Sequence, residues 1–377
     1  MDERHFSRHF PPELEHKILS LLGQLDLTRA ALVCRRFRDM SESSLFRHIA
    51  SWSVHLDEKG RAVKKYNWHR AVFRILDDVA LGRHVRFFEV SVTQISRTAE
   101  PGRARPLNSY DLHTLWSSMP GLIALSVNGW MPNGQDLGLQ NIDFPRLQRL
   151  RLDRADLGVE FLQRHLPRLK QLRVQGFTNI PVDCDLTVGT LVHYEGPYLL
   201  LVQLLPDGAP THSLESCRLV GEFGSGIPPT LAPLARYQNL RYLSICPYGA
   251  DRAMILEMIR DCPPFTSVTS LYLDFDNQED LDIVPASTDP PWSQLMRPFP
   301  AAIYIVLSVD MEYNVVRERG LAWAKEISET CEDATVIVLS DFGFKRAGPS
   351  FDWVADDDAE DAIDASLNPP VVHPVPR

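Results

Sequence analysis

One pattern constrains the fold of this chain more than any other. The motif L-x-x-L-x-L recurs as "VRFFEV" (85–90), "LIALSV" (122–127), "LQRLRL" (147–152), "LKQLRV" (169–174), "LESCRL" (214–219), "LRYLSI" (240–245) and "VTSLYL" (268–273), with a weaker copy "VGTLVH" (188–193). Successive starts lie 37, 25, 22, 19, 26, 26 and 28 residues apart. Apolar residues at alternating positions mark a strand with one buried face. A short unit repeated at such intervals cannot bury that face alone, so neighbouring units must stack into a shared core. Proline precedes several copies, in "MPGL", "FPRL" and "LPRL". There it marks the stop of a helix and the start of the strand.

The stretches between motifs carry helical spacing, as in "WHRAVFRILDDVAL" (68–81), "EFLQRHL" (160–166) and "RAMILEMIRDC" (252–262). Two later apolar runs, 302–309 and 334–341, flank a helix over 319–331 and extend the same sheet. Segment 274–300 reads as a long loop.

The first fifty residues follow a different rule. Pro11 and Pro12 before Glu13 predict a helix start. Leu14, Ile18, Leu21, Leu22 and Leu25 then recur at three- and four-residue spacing. Asp26 is placed as the cap of a second helix carrying Leu27, Ala30, Ala31, Val33, Cys34 and Phe37. Arg29, Arg35, Arg36 and Arg38 form its polar flank, and Ser41 or Ser43 opens a third helical turn with Leu45, Phe46 and Ile49. Three short helices make a thin core. The surplus apolar positions predict a second face that docks on a partner.

Residues 10–46, "FPPELEHKILSLLGQLDLTRAALVCRRFRDMSESSLF", resemble an F-box. The family pattern L-P-x-E-[IL], I-L-S-x-L, D-L, V-C-[KR]-x-[WF], L-[WF] is met by Pro11 or Pro12, Glu13, Leu14, Ile18, Leu19, Leu22, Asp26, Leu27, Val33, Cys34, Phe37, Leu45 and Phe46. Phe10 stands where Leu is usual, and Phe37 where Trp is common. The resemblance implies docking on a Skp-family adaptor, and through it a cullin, by Pro11, Pro12, Leu14, Ile18, Leu19, Leu22, Leu27, Val33, Cys34 and Phe37. The long remainder resembles degenerate leucine-rich repeats lacking most of the usual Asn positions, a layout similar to F-box proteins of mushroom-forming fungi. The expected fold class is α+β. It comprises an F-box (7–50), a connector (51–69), an irregular α/β repeat solenoid (70–345) and a disordered acidic, proline-rich tail (352–377). A helical cap that binds nothing and a compact α/β domain with a mixed sheet are the alternatives.

Charge supports a protein partner over a nucleic acid. The net charge is −10, and 352–364 carries seven acidic residues and no basic ones, leaving about −3 on the rest. Phosphate-backbone binding needs the opposite excess. Cys34, Cys184, Cys217, Cys246, Cys262 and Cys331 show neither a C-x-x-C pair nor a zinc-finger His, and read as buried free thiols of a reducing compartment. "MDERHFSRHF" is unlike a secretory signal, and the longest apolar run (198–205) is too short to span a membrane. The expected location is cytoplasmic or nuclear.

No catalytic set emerges. "GEFGSGIPP" (221–229) lacks the Lys-Ser/Thr of a P-loop, and Ser225 does not fit G-x-S-x-G. "DFDNQED" (274–280) lacks the sixth-position Gly and twelfth-position Glu of a calcium loop. His165 and His193 read as helix-surface or strand residues rather than ligands. The expectation is no enzyme, no cofactor and no metal. An F-box scaffold acting outside ubiquitylation, or an enzyme whose site is invisible in the sequence, remain as alternatives to a substrate receptor.

Recognition then falls to the strands' outward positions. These are Ala124 and Ser126, Arg149 and Arg151, Gln171 and Arg173, Thr190 and Val192, Ser216 and Arg218, Tyr242 and Ser244, Ser270 and Tyr272. With strands about 4.8 Å apart, Arg149, Arg151, Arg173 and Arg218 beside Tyr242 and Tyr272 would suit an acidic or phosphorylated target segment.

Overall fold

The computed structural model describes residues 11–50, 53–56, 62–65, 68–91, 107–129, 137–154, 157–176, 188–205, 213–221, 230–247, 252–275, 292–308, 313–339, 342–347 and 352–355. The chain divides into two compact units, the first being residues 1–169 with 176–179 and 376–377, the second residues 170–175 and 180–375. Parallel strands alternate with helices in both, so the architecture is mixed α/β.

The first unit opens with α1 (Pro12–Leu21), α2 (Gln24–Ala31) and α3 (Arg35–Leu45). Pro12 occupies the first helical turn, with Glu13 and Glu15 complementing the dipole. The sequence expectation of a helix running through Val33 to Phe37 is corrected here. The chain turns at Leu32–Val33, and Cys34 adopts an extended backbone (φ −158°) as the N-cap of α3. Its thiol accepts from Phe37 N at 3.5 Å, a job usually given to Ser, Thr or Asp. The expected third helix at Ser41 or Ser43 is thus the middle of α3. Asp26 lies inside α2 rather than capping it; the cap is Gly23.

After α3, His48–Ile49 forms a short strand, β1, and a hairpin pairs β2 (Ser53–Leu56) with β3 (Ala62–Lys65) within the expected connector. Helix α4 (Trp68–Asp77) buries Trp68, Val72 and Ile75. Strand β4 (Phe87–Ser91) pairs in parallel with both β1 and β5 (Ala124–Asn128), and β5 with β6 (Arg149–Asp153). Phe88, Leu125 and Leu150 stand in register and are buried, as do Val90, Val127 and Leu152. Each such burial contributes roughly 1.5–3 kcal/mol. Helix α5 (Ser109–Ser117), held by an Asn108–Asp111 capping box, sets Trp116 edge-on against Phe88 at 5.2 Å. Helix α6 (Val159–His165) follows β6.

A single turn enters each strand. The N–H groups of Val85, Leu122, Leu147 and Leu169 donate to the carbonyl three residues back at 3.0, 3.1, 3.0 and 3.2 Å. Pro120, Pro145 and Pro167 fill the second position of three of these turns, where a fixed φ fits. A carbonyl relay runs alongside. Arg47 O accepts from Arg86 N and Phe87 N (2.9 and 3.1 Å), Arg86 O from Ile123 N and Ala124 N (2.8 and 3.0 Å), and Ile123 O from Gln148 N and Arg149 N (2.8 and 3.0 Å). The residue just past the C-cap of α3 therefore starts the relay.

The second unit repeats the scheme. Its strands are β7 (Gln171–Gln175), β8 (His193–Gly196), β9 (Ser216–Gly221), β10 (Tyr242–Pro247), β11 (Ser270–Asp274), β12 (Tyr304–Ser308) and β13 (Val336–Leu339), parallel and paired in chain order. Leu172, Tyr194, Cys217, Leu243, Leu271, Ile305 and Ile337 form one buried ladder across them. Helices α7 (Tyr198–Leu204), α8 (Arg252–Arg260), α9 (Trp292–Met296) and α10 (Tyr313–Thr330) lie between strands in the chain. Then β14 (Phe342–Ala347) and β15 (Asp352–Ala355) add antiparallel strands beside β13.

Three expectations change in this unit. The weak motif copy belongs at 191–196, because β8 pairs His193 with Gln171 and Glu195 with Arg173. The outward pair is His193 and Glu195, not Thr190 and Val192. The expected loop 274–300 contains α9, while 276–291 lies outside the described residues. Asp352–Ala355, expected as the start of a disordered tail, is the strand β15, and residues 356–377 lie outside the described ones.

Candidate docking surfaces

The helical trio carries an apolar face that its own core leaves bare. Leu19 and Leu27 are buried, and Leu22, Cys34 and Phe37 are half-buried. In contrast Leu14 (47%), Ile18 (48%) and Leu21 (70%) are exposed along one stripe of α1, and Leu32 (75%) and Val33 (68%) on the turn after α2. Pro11, ahead of the stripe, is exposed, and Pro12 is the first residue of α1. The site residues expected from the family resemblance thus divide. Leu14, Ile18 and Val33 face outward, whereas Leu19 and Leu27 hold the trio together. Leu21 and Leu32 were missing from the expected set, although Leu21 was readable from the helical stripe.

The arginines around this turn have unequal roles. Arg35 and Arg38 are exposed, but Arg36 reaches the buried carboxylate of Glu15 at 2.7 Å and ties α3 to α1. Arg29 pairs with Asp26 at 3.2 Å in full view of solvent, which contributes little.

The second surface is the side of each sheet opposite the buried ladder. In the first unit it presents Glu89, Ser126 and Arg151 in one row, and Phe87, Ala124 and Arg149 in the next. Arg151 is exposed and Arg149 half-buried; Asn128 Nδ2 donates to Glu89 Oε1 at 3.1 Å. In the second unit the row reads Arg173, Glu195, Arg218, Ser244, Tyr272, Val306 and Val338. Glu195 sits between the two arginines. It pairs with Arg173 at 3.2 Å and accepts from Gln175 Nε2 at 3.0 Å. Tyr242 and Tyr272, expected beside a basic cluster, lie half-buried on the strands beyond Arg218. Burial, with Asp274 nearby, pushes the Tyr272 hydroxyl up to about 12. At the far end Val306, Val336 and Val338 are buried, with Tyr272 and Tyr304 packed against them.

Four of the described cysteines are shielded by burial. Burial pushes the thiols of Cys217, Cys246 and Cys262 up, and that of Cys331 up to about 12. Such thiols stay protonated at neutral pH, the reverse of an activated nucleophile. His165, expected at a helix surface, is fully buried instead. Its Nδ1–H donates to Phe161 O at 2.8 Å and Nε2 accepts from Phe144 N at 3.0 Å, so both nitrogens are satisfied by the neutral ring. Among the described residues, no three His, Cys, Asp or Glu side chains come together as metal ligands would. Nor is any helix among them long and apolar enough to cross a membrane.

Comparison with known families bears on the helical trio alone. Residues 8–51 match the family described as F-box-like, so the helical trio is an F-box-like domain. No match to the chain was found among curated proteins.

Proposed function

We propose that this protein is the substrate-receptor subunit of a Skp–cullin–F-box ubiquitin ligase. The observation that carries the reading is the bare stripe of Leu14, Ile18, Leu21, Leu32 and Val33 on the F-box-like domain. Exposed leucines at helical spacing are the signature of a helix face built for a groove. A Skp-family adaptor is the partner that an F-box-like domain calls for, with Leu14, Ile18, Leu21, Leu32 and Val33 as contacts and Leu19 and Leu27 as supports. The stacked parallel strands then act as degenerate leucine-rich repeats whose outward rows select a protein target. No step of catalysis is assigned to the chain itself. Its place of work is the cytoplasm or nucleus.

The target's chemistry differs along the rows. In the second unit Glu195 balances Arg173, so of the residues expected to take an acidic or phosphorylated segment (Arg149, Arg151, Arg173, Arg218, Tyr242 and Tyr272) the role is given to Arg149 and Arg151 in the first. The test is copurification of the full chain from eukaryotic cells. Capture of both a Skp-type adaptor and a cullin is expected, and both should be lost with Ile18→Asp. Adaptor without cullin would instead indicate a scaffold acting outside ubiquitylation, and capture unaffected by Ile18→Asp would reject the docking face.

A further inference from the structure

The parallel strands β1, β4, β5 and β6 all start at the same end of the sheet, and that end collects arginine. Arg47 precedes β1, Arg86 precedes β4, and Arg146 lies in the turn that leads into β6. The turn before β5 contributes space instead of charge. A Cβ on the buried Gly121 would stand 2.1 Å from Arg86 Nη1. Arg86 therefore lies across the start of β5, reaching from β4 toward β6, two strands or about 10 Å away. Its Nη1 donates to Arg83 O at 2.6 Å and to Val85 O at 3.0 Å. Its Nε and Nη2 form no bond among the described residues, and neither is sealed from solvent.

No counter-charge is built in at this end. Among the described residues, Arg47, Arg83, Arg86 and Arg146 form no ion pair. Asp143, just ahead of Arg146, is taken by Arg168 at 3.1 Å. The crowding shows in how the side chains ionise. Burial, then the Arg146 and Arg47 charges, lower the Arg86 guanidinium from its ordinary value. Burial, Arg83 and Arg86 lower His84 as well, against the pull of Glu42. In a chain of net charge −10, such a cluster is destabilising until an anion binds to it.

We propose that Arg47, Arg86 and Arg146 form a binding site for a phosphate group at the entry end of β1–β6. A carboxylate brings one charge and two oxygens. A phosphate monoester brings up to two charges and three acceptor oxygens, so it can bridge guanidinium groups from separate strands. Arg86 is the anchor. Two carbonyls fix its Nη1 and leave Nε and Nη2, the pair that grips an oxyanion side-on, to the ligand. Arg146 and Arg47 flank it closely enough for both charges to act on it. The claim concerns the end of the sheet rather than its outward face, so it does not rest on the role given to Arg149 and Arg151.

The experiment follows heat denaturation of the full chain and calorimetric binding of inorganic phosphate, with ionic strength held constant by chloride. A saturable rise of the midpoint with phosphate is expected. Arg146→Gln, an exposed change, should weaken phosphate binding by roughly tenfold or more. It should also raise the midpoint measured without phosphate, because it relieves repulsion. Gly121→Ala, which crowds chiefly the far end of the Arg86 side chain, should weaken binding likewise. Arg35→Gln removes the same charge at the other end of α3 from Arg47 and should change neither quantity. A peptide with one phosphoserine, set against its serine form, identifies the source. Tighter binding than inorganic phosphate marks a phosphorylated protein and no tighter binding marks the free ion, and either must be lost in Arg146→Gln. No saturable effect of phosphate or phosphopeptide would overturn the proposal, as would a loss matched by Arg35→Gln. So would undiminished binding by Arg146→Gln, or a midpoint that it lowers.

Discussion

Leu32→Ala separates docking from folding more cleanly than any other change in this protein. Leu32 is 75% exposed on the turn between α2 and α3, so its removal takes little from the folded core. Surface changes of that kind alter stability by about 0.5 kcal/mol or less. If a partner covers the side chain, about three-quarters of a full leucine burial is gained on binding, roughly 1–2 kcal/mol. That is on the order of a 5- to 30-fold loss of affinity for Leu32→Ala. Leu27, 5% exposed, gives the matched control. Its replacement by Ala should cost the fold roughly 2–5 kcal/mol through lost transfer energy and a cavity. The assay pairs biolayer interferometry against a purified Skp-type adaptor with urea denaturation of the same preparations. Leu32→Ala should weaken binding at an unchanged denaturation midpoint, with little dependence on salt because the contact is apolar. An unchanged Kd, or a lowered midpoint that accounts for the whole binding loss, would refute the reasoning.

Other perturbations follow from the same geometry. His165 is held neutral, its pKa lowered chiefly by burial against the opposing pull of the Phe161 carbonyl and Asp143. The unfolded chain takes up a proton that the folded one refuses, so stability is full above about pH 6.5 and falls as the pH drops below it. Denaturation midpoints from pH 7.5 to 5 should fall more steeply for the wild type than for His165→Gln; parallel curves would exclude the mechanism. Gly320→Ala drives a methyl into the Phe344 ring and should cost roughly 1–3 kcal/mol by overpacking, relieved in the Gly320→Ala/Phe344→Leu pair. Deleting residues 1–50 removes β1 and leaves the β4 edge open. The shortened chain should self-associate as concentration rises in sedimentation experiments, whereas a box that is merely tethered would leave it monomeric.

The strands were readable because their signal is the core itself. Every L-x-x-L-x-L copy but the weakest placed its strand at the observed residues, since leucine, valine and isoleucine at alternate positions have one way to be buried together. The weak copy failed for a definable reason. In β8 the last two motif positions are Tyr194 and Gly196, neither of them a plain apolar residue, so the alternation is clearer three residues earlier, at 188–193. That slip hid Glu195, the acid that changes the charge of the outward row. The break between α2 and α3 was hidden by Cys34, a poor advertisement for an N-cap. The strand β15 was masked by the acids that follow it, although "DWVA" alone has strand character. Exposure on the F-box-like domain was predictable as a surplus of apolar residues, but which leucines were surplus depended on how three helices met.

The relay that begins at Arg47 O gives the first unit a scale as well as a scaffold. Each strand adds about 4.8 Å, so β1 is the zero mark of a ruler and β6, three steps along, stands near 14 Å on it. Distance along this axis is set by backbone spacing and is indifferent to which side chains decorate it. Arg151 on β6 is therefore held at a fixed offset from β1, the strand that follows the F-box-like domain. A rung inserted before β6 would move that offset by one division while leaving both ends chemically unchanged.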